Sequence, residues 1–166
     1  MSISRLLKSQ APAAPSLSYS LVSFIGTLIA IGSTGWLSHA SGTPWLMAAF
    51  GASCVLAFGV PDSPLAQPRS IIGGHLLSTL VGLVLLNGLG NAWWVGALGV
   101  ALALVLMQQT RTLHAPAGAN PLVVIAAGAS WTYLLTPVLA GSVVIVAVAW
   151  LVNNARHRNS YPKYWL

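Results

Sequence analysis

Apolar and polar positions alternate along this chain in blocks. Six apolar runs stand at about 17–37, 45–60, 71–89, 92–107, 119–135 and 137–152, each set off from the next by Pro, Gly, Asn or charge. Runs one and three approach the ~20 residues that a helix needs to cross a bilayer core. Runs two and five are shorter, and length alone leaves them open as spanning helices, half-helices or re-entrant pieces. The pattern predicts an all-α membrane protein with six transmembrane helices, the second and fifth short.

One phrase occurs twice in this pattern. GTPWLMAAFGAS at 42–53 and ANPLVVIAAGAS at 119–130 match at Pro44 and Pro121, Ala49 and Ala126, Gly51 and Gly128, Ala52 and Ala129, and Ser53 and Ser130. The same offset lays the first apolar run on the fourth and the second on the fifth, and the third meets the sixth after a gap. Each half is therefore a unit of three segments, about 17–89 and 92–153. An odd number of spans per unit turns the second copy over in the membrane, the inverted-repeat arrangement of many transporters and channels. Ligands of such folds bind where the repeats meet, and corresponding short, Gly/Pro-interrupted segments mark the place. Pro44 and Pro121 suit the first turn of a helix. Runs two and five are thus expected to aim free helix N-termini, each with about half a positive charge, at one site from opposite sides. The competing reading is a duplicated packing seam, because small residues such as Gly51, Ala52, Gly128 and Ala129 are what helix packing in lipid requires.

Composition narrows the class. Charged residues make up 5% of the chain and hydrophobic ones 56%, and Asp62 is the one acid, too few polar groups to coat a soluble globule. The net charge of +6 is scattered over loop ends and forms no basic stripe with interleaved aromatics, so nucleic acid is not a partner. Six spans with an interior N-terminus put Arg5, Lys8, Arg69, Arg111, Arg156, Arg158 and Lys163 on the cytoplasmic side. The outer connections, near 38–44, 87–92 and Thr136, then carry no Lys or Arg. Four spans with runs two and five re-entrant would move Arg69 and Arg111 outside. Trp36, Trp45, Trp93, Trp94 and Trp131 fall toward the outer interface and Trp150 toward the inner one. Residues 1–16 read as a flexible cytoplasmic tail and 154–166 as a basic cytoplasmic one. Cys54 alone can form no intrachain disulfide.

The remaining polar residues cluster in two connections. VPDSPLAQPRSIIGGHLLS at 60–78 holds Asp62, Arg69 and His75, and QQTRTLHAPAGANP at 108–121 holds Arg111 and His114. An ionisable group at the centre of a membrane helix costs about 2.5 to 3.5 kcal/mol on insertion scales. Arg69, His75, Arg111 and His114 are expected to line one electropositive vestibule, and Asp62 either pairs with Arg69 or meets substrate. Four separated histidines without helical pair spacing make no metal site, and one carboxylate without a nucleophile elbow makes no enzyme. No cofactor is called for.

The stretch PDSPLAQPRSIIGGHLLSTLVG at 61–82, together with HAPAGANP at 114–121, resembles the HPP family of small integral membrane proteins. The resemblance runs from about Pro44 to Asn153 and departs from the family name at Ala115, which stands at the first proline of His-Pro-Pro. It places family motif positions at Gln67, Pro68, Arg69, Gly74, His75, His114, Pro116, Gly118 and Pro121. Plastid members in plants are associated with nitrite transport, so the resemblance implies a small inorganic anion, nitrite or a relative. Some members carry soluble domains after the membrane part, and the sequence here continues only a short way past Arg156-His157-Arg158.

Family and electrostatics together lead to the expectation of a bacterial inner-membrane transporter or channel for a small anion. Arg69, His75, His114, Gly51, Ser53, Asn120, Gly128 and Ser130 would form its pathway. A channel for a neutral solute and a non-transporting assembly subunit are the alternatives. Glycine-rich faces point to a homo-oligomer.

Overall fold

The computed structural model describes residues 12–165, and the expectations for Arg5 and Lys8 lie outside them. The described chain is helical, without strands. Helix α1 spans Leu17–Ser41, capped by the Ser16 hydroxyl on the Tyr19 amide. Helix α2, Ala49–Cys54, runs on into a π-helical turn at Val55–Gly59. Helix α3 spans Pro68–Leu89 and α4 spans Trp93–Gln109. A 3-10 turn at Ala115–Ala119 leads straight into α5, Asn120–Ala127. A kinked lead-in from Trp131 then joins α6, Ala140–Arg156. Three of these stretches are long and apolar enough to cross a membrane: Leu17–Ser41, Pro68–Leu89 and Trp131–Arg156. The other apolar helices, Ala49–Gly59, Trp93–Gln109 and Ala115–Ala127, are shorter.

The helices are built inside out relative to those of a soluble protein. Along α3 the buried positions include Ile71, Gly74, His75, Ser78, Thr79 and Gly82, a stripe at helical spacing. On α1, Leu21, Phe24, Ile25 and Leu28 face outward and Gly26, Ala30 and Thr34 face inward. Lipid solvates the large apolar side chains, and small residues let the backbones approach. Helix α3 is the hub, packed on α4, α5, α6 and the 3-10 turn before α5. A Cβ on Gly82 would collide with Val124 and the Pro121 backbone, and one on Gly99 would stand 2.9 Å from Pro121 Cβ. These two glycines seat α5 between α3 and α4.

One end of the bundle gathers alternate helix termini. The Tyr19 hydroxyl at the start of α1 donates to the Gly59 carbonyl (3.0 Å) at the end of the α2 segment. Arg156, closing α6, lies 3.9 Å over the Tyr19 ring and donates to the Tyr19 carbonyl. Beyond α6 the chain folds back onto the loop before α3. There Tyr161 donates to Ala66 O (2.8 Å), the Lys163 amide donates to Gln67 Oε1 (2.8 Å), and Lys163 Nζ pairs with Asp62 (2.8 Å). The partner of Asp62 is thus Lys163, not Arg69. Burial raises the pKa of the Tyr161 hydroxyl, which keeps it a donor. Arg69 at the start of α3 donates to Thr110 O (2.8 Å) and Arg111 O (3.2 Å), capping the end of α4 where the helix dipole favours a cation.

The structure corrects four local expectations. Pro44 is exposed and non-helical, and its helix begins at Ala49. The reason is the preceding polar cluster: Ser38 Oγ accepts the Trp45 amide, and Ser41 and Thr43 hydroxyls accept the Trp45 indole N–H, which ties the segment to the end of α1. Pro121 stands in the first turn of α5 as expected, but the 3-10 turn from Ala115 runs straight into that helix, so its N-terminus is not free. Run five ends at Ala127 rather than 135, because Gly128 takes the left-handed conformation (φ 58°) and closes α5. Thr136 is a break in the lead-in to α6, with φ −130° and ψ 126°, rather than the connection between runs.

Gly82→Val should lower the thermal midpoint of the detergent-solubilised protein, an overpacking cost of about 1 to 3 kcal/mol. Gly88→Ala, whose new Cβ meets open space, should leave the midpoint unchanged or raise it, by up to about 1 kcal/mol.

Candidate functional site

Four polar side chains meet where α2, α3 and the start of α5 touch. Ser53 comes from α2, His75 from α3, His114 from the residue before the 3-10 turn, and Asn120 from the first position of α5. Ser53, His75 and His114 are completely buried, and Asn120 is 1% exposed. Ser53 Oγ stands 2.8 Å from His75 Nε2 and 2.8 Å from His114 Nε2, bridging the two imidazoles. The rings lie 4.8 Å apart edge to face, and Phe50 closes on His75 at 5.4 Å.

The partners assign the protons. Leu65 O, 2.7 Å from His114 Nδ1, can only accept, so Nδ1 carries hydrogen and Nε2 accepts. Asn120 Nδ2 lies 3.2 Å from the His75 carbonyl, 2.9 Å from Thr79 Oγ1 and 3.0 Å from His75 Nδ1. The amide nitrogen donates there, so His75 Nδ1 is bare and its Nε2 carries hydrogen. Donation then runs one way, from Asn120 to His75 to Ser53 to His114 to Leu65. Every member is paired in the neutral state, which is what burial in an apolar surround demands.

Each member owes its place to local sequence. Gly74 admits His114: a Cβ there would lie 2.7 Å from His114 Cβ and 2.7 Å from Thr112 O. Pro64 and Ser63 set a short 3-10 turn that presents Leu65, and Gln67, fully buried, donates to Pro61 O and Ser63 O (both 2.9 Å) to hold that turn. Pro68 starts α3 where its missing N–H costs nothing. Ser78 Oγ donates to Ala117 O (2.6 Å), tying α3 to the turn that Pro116 opens.

Other predicted pathway residues lie elsewhere. Gly51 is exposed with open space around it, and Gly118 likewise has no neighbour at its Cβ position. Gly128 is the left-handed cap of α5, and Ser130 is exposed and bonds Thr132. The repeated serines therefore occupy unlike places. Arg69 and Arg111 stay at the surface, apart from the buried histidines, so the four do not line one vestibule. A cavity of about 650 Å³ opens beside Arg69, lined also by Pro68, Ile72, Gly73, Thr112 and Trp165. Among the described residues no three His, Cys, Asp or Glu side chains gather to hold a metal ion. Thr79, Ser78 and the Leu65 carbonyl went unrecognised in the sequence. The signal for the first two is their spacing of three and four from His75, which shares their face of α3.

The geometry joins the two sequence motifs, 61–82 and 114–121, into one buried unit. The description of the HPP transmembrane region matches residues 12–162. The chain belongs to the HPP family. Two transmembrane proteins of Dictyostelium discoideum are similar to it, at 42% identity over 128 residues and 37% over 153. These alignments cover 72% and 87% of the chain but 45% and 49% of the relatives, so the chain spans about half the length of the curated relatives it matches. No solved structure matches it. The HPP chain is thus a membrane protein whose family motifs converge on a serine-bridged histidine pair.

Ser53→Ala leaves His114 Nε2 buried and unpaired and should destabilise the HPP domain by about 1 to 3 kcal/mol. Ser130→Ala, at its exposed counterpart, should stay within about 0.5 kcal/mol. Thermal unfolding of the two variants side by side in detergent checks the contrast.

Proposed function

We propose that this HPP protein moves a small inorganic anion, nitrite or a close relative, across its membrane. One observation carries the reading: ionisable and amide side chains are buried at the meeting of the two sequence halves, deep among apolar helices. Such residues are expensive in a membrane and mark transport paths more often than packing. Ser53 and His75 belong to the first half, His114 and Asn120 to the second, as expected of a site between inverted repeats. The gathering of alternate helix termini at one end supports a chain that runs back and forth six times. The Lys and Arg at that end support cytoplasmic N- and C-termini. Arg69 and the cavity beside it form the entrance, where a cation with no carboxylate partner among the described residues concentrates anions. The described conformation is closed around the four polar residues, so passage requires α2 or α5 to shift against α3.

Purified protein in liposomes should take up nitrite faster than protein-free vesicles, with nitrate, formate and chloride as competitors that rank its selectivity. Asn120→Ala should lower the rate several-fold at unchanged reconstitution efficiency. A folded protein that moves none of these anions but speeds a neutral solute would replace the reading with a neutral channel. Movement of neither would point to an assembly subunit.

A further inference from the structure

The hydrogen bonds around Ser53 close in two ways. In the neutral chain the hydroxyl donates to His114 Nε2. The same oxygen also lies 3.1 Å from Ala49 O, one turn back on α2. If His114 Nε2 binds a proton, the imidazolium donates to Leu65 O and to Ser53 Oγ, and the serine hydrogen turns to Ala49 O. Ser53 Oγ then accepts from both histidines with its two lone pairs and still donates once. No heavy atom moves, and every group remains paired. His75 has no such freedom, because the Asn120 amide donates to its Nδ1.

Resting on the anion reading above, we propose that His114 is a proton-coupling site: one proton binds its Nε2 as the anion enters, and the two cross together. The proton is taken from hydronium on the entry side, which is left as water; it adds to the ring lone pair as the Ser53 hydrogen turns to Ala49 O, and it returns to water when the anion leaves. The surroundings dictate the pairing. Helix α2 faces the pair with Phe50 and Ser53, and its Cys54 belongs to the apolar cluster. The loop before α3 presents the Leu65 carbonyl, and its Asp62 is exposed and bound to Lys163. On α3 the charged group is Arg69, and after α4 it is Arg111, both at the surface. Asn120 of α5 is neutral, and the Tyr161 hydroxyl of the tail is engaged by Ala66. Among the described residues no carboxylate compensates a charge on His114, so the mobile anion is its counter-ion. Gly73 and Thr112 line the cavity beside Arg69, and Gly74, next along α3, separates it from the buried His114, which abuts Gly74 together with the Thr112 carbonyl.

The full chain in liposomes with an internal pH dye, under an inward nitrite gradient, gives the test. Passage of undissociated acid is measured in protein-free vesicles and subtracted. One proton should enter per nitrite, and the rate should be unmoved when the membrane potential is clamped at opposite signs. His114→Gln should abolish the linked acidification, and any residual flux should become potential-dependent. Nitrite entry in the unaltered protein without acidification, and with a rate set by potential, would overturn the coupling while leaving anion transport standing. Absence of flux for every anion from folded protein would overturn both. Acidification that persists in His114→Gln would move the proton to another residue and sink this assignment.

Discussion

Within the bilayer no water is at hand to complete a hydrogen bond, and the arrangement of this protein follows from that shortage. Two imidazoles, an amide and a hydroxyl are buried among apolar helices, and each is tolerated because the next supplies its partner. The closed sequence of donors requires three chain segments to approach within hydrogen-bonding distance at once. That approach is made by absent side chains: Gly74 yields room to His114, and Gly82 and Gly99 yield room to α5. Polar satisfaction and small-residue packing are therefore one constraint, since neither the glycines nor the histidines could be exchanged alone.

The same accounting governs the ends of the helices. Arg69 takes up carbonyls left open at the end of α4, and Gln67 takes up two carbonyls of its own loop and the amide of Lys163. The loop that feeds Leu65 to His114 is thus held from below by the terminal segment. Site and surface are one hydrogen-bonded structure, in which Leu65 is the joint.

Much of this was legible from the order of residues. Apolar runs announced the helices. The motifs around His75 and His114 pointed to residues that meet. What escaped had physical causes. Pro44 and Pro121 read alike, yet the hydroxyls of Ser38, Ser41 and Thr43 hold the segment after Pro44 against α1, outside any helix, while the turn from Ala115 runs straight into the helix of the other. Ser53 and Ser130 also read alike, but Gly128 stops α5 before the second serine can turn inward. Local competition for hydrogen bonds decides these cases, and a period or an offset does not register it. The hydroxyl bridge escaped for a different reason: it joins positions on three elements, and no spacing along one of them encodes it.

The folded-back tail has a mechanical meaning. Tyr161 and Lys163 grip the loop whose Leu65 carbonyl orients His114, one through the Ala66 carbonyl and the other through the Gln67 side chain. The buried imidazole and the terminal backbone are the two ends of one strut: His114 leans on Leu65 O, Gln67 braces that turn through Ser63 O, and the Lys163 amide rests on Gln67 Oε1.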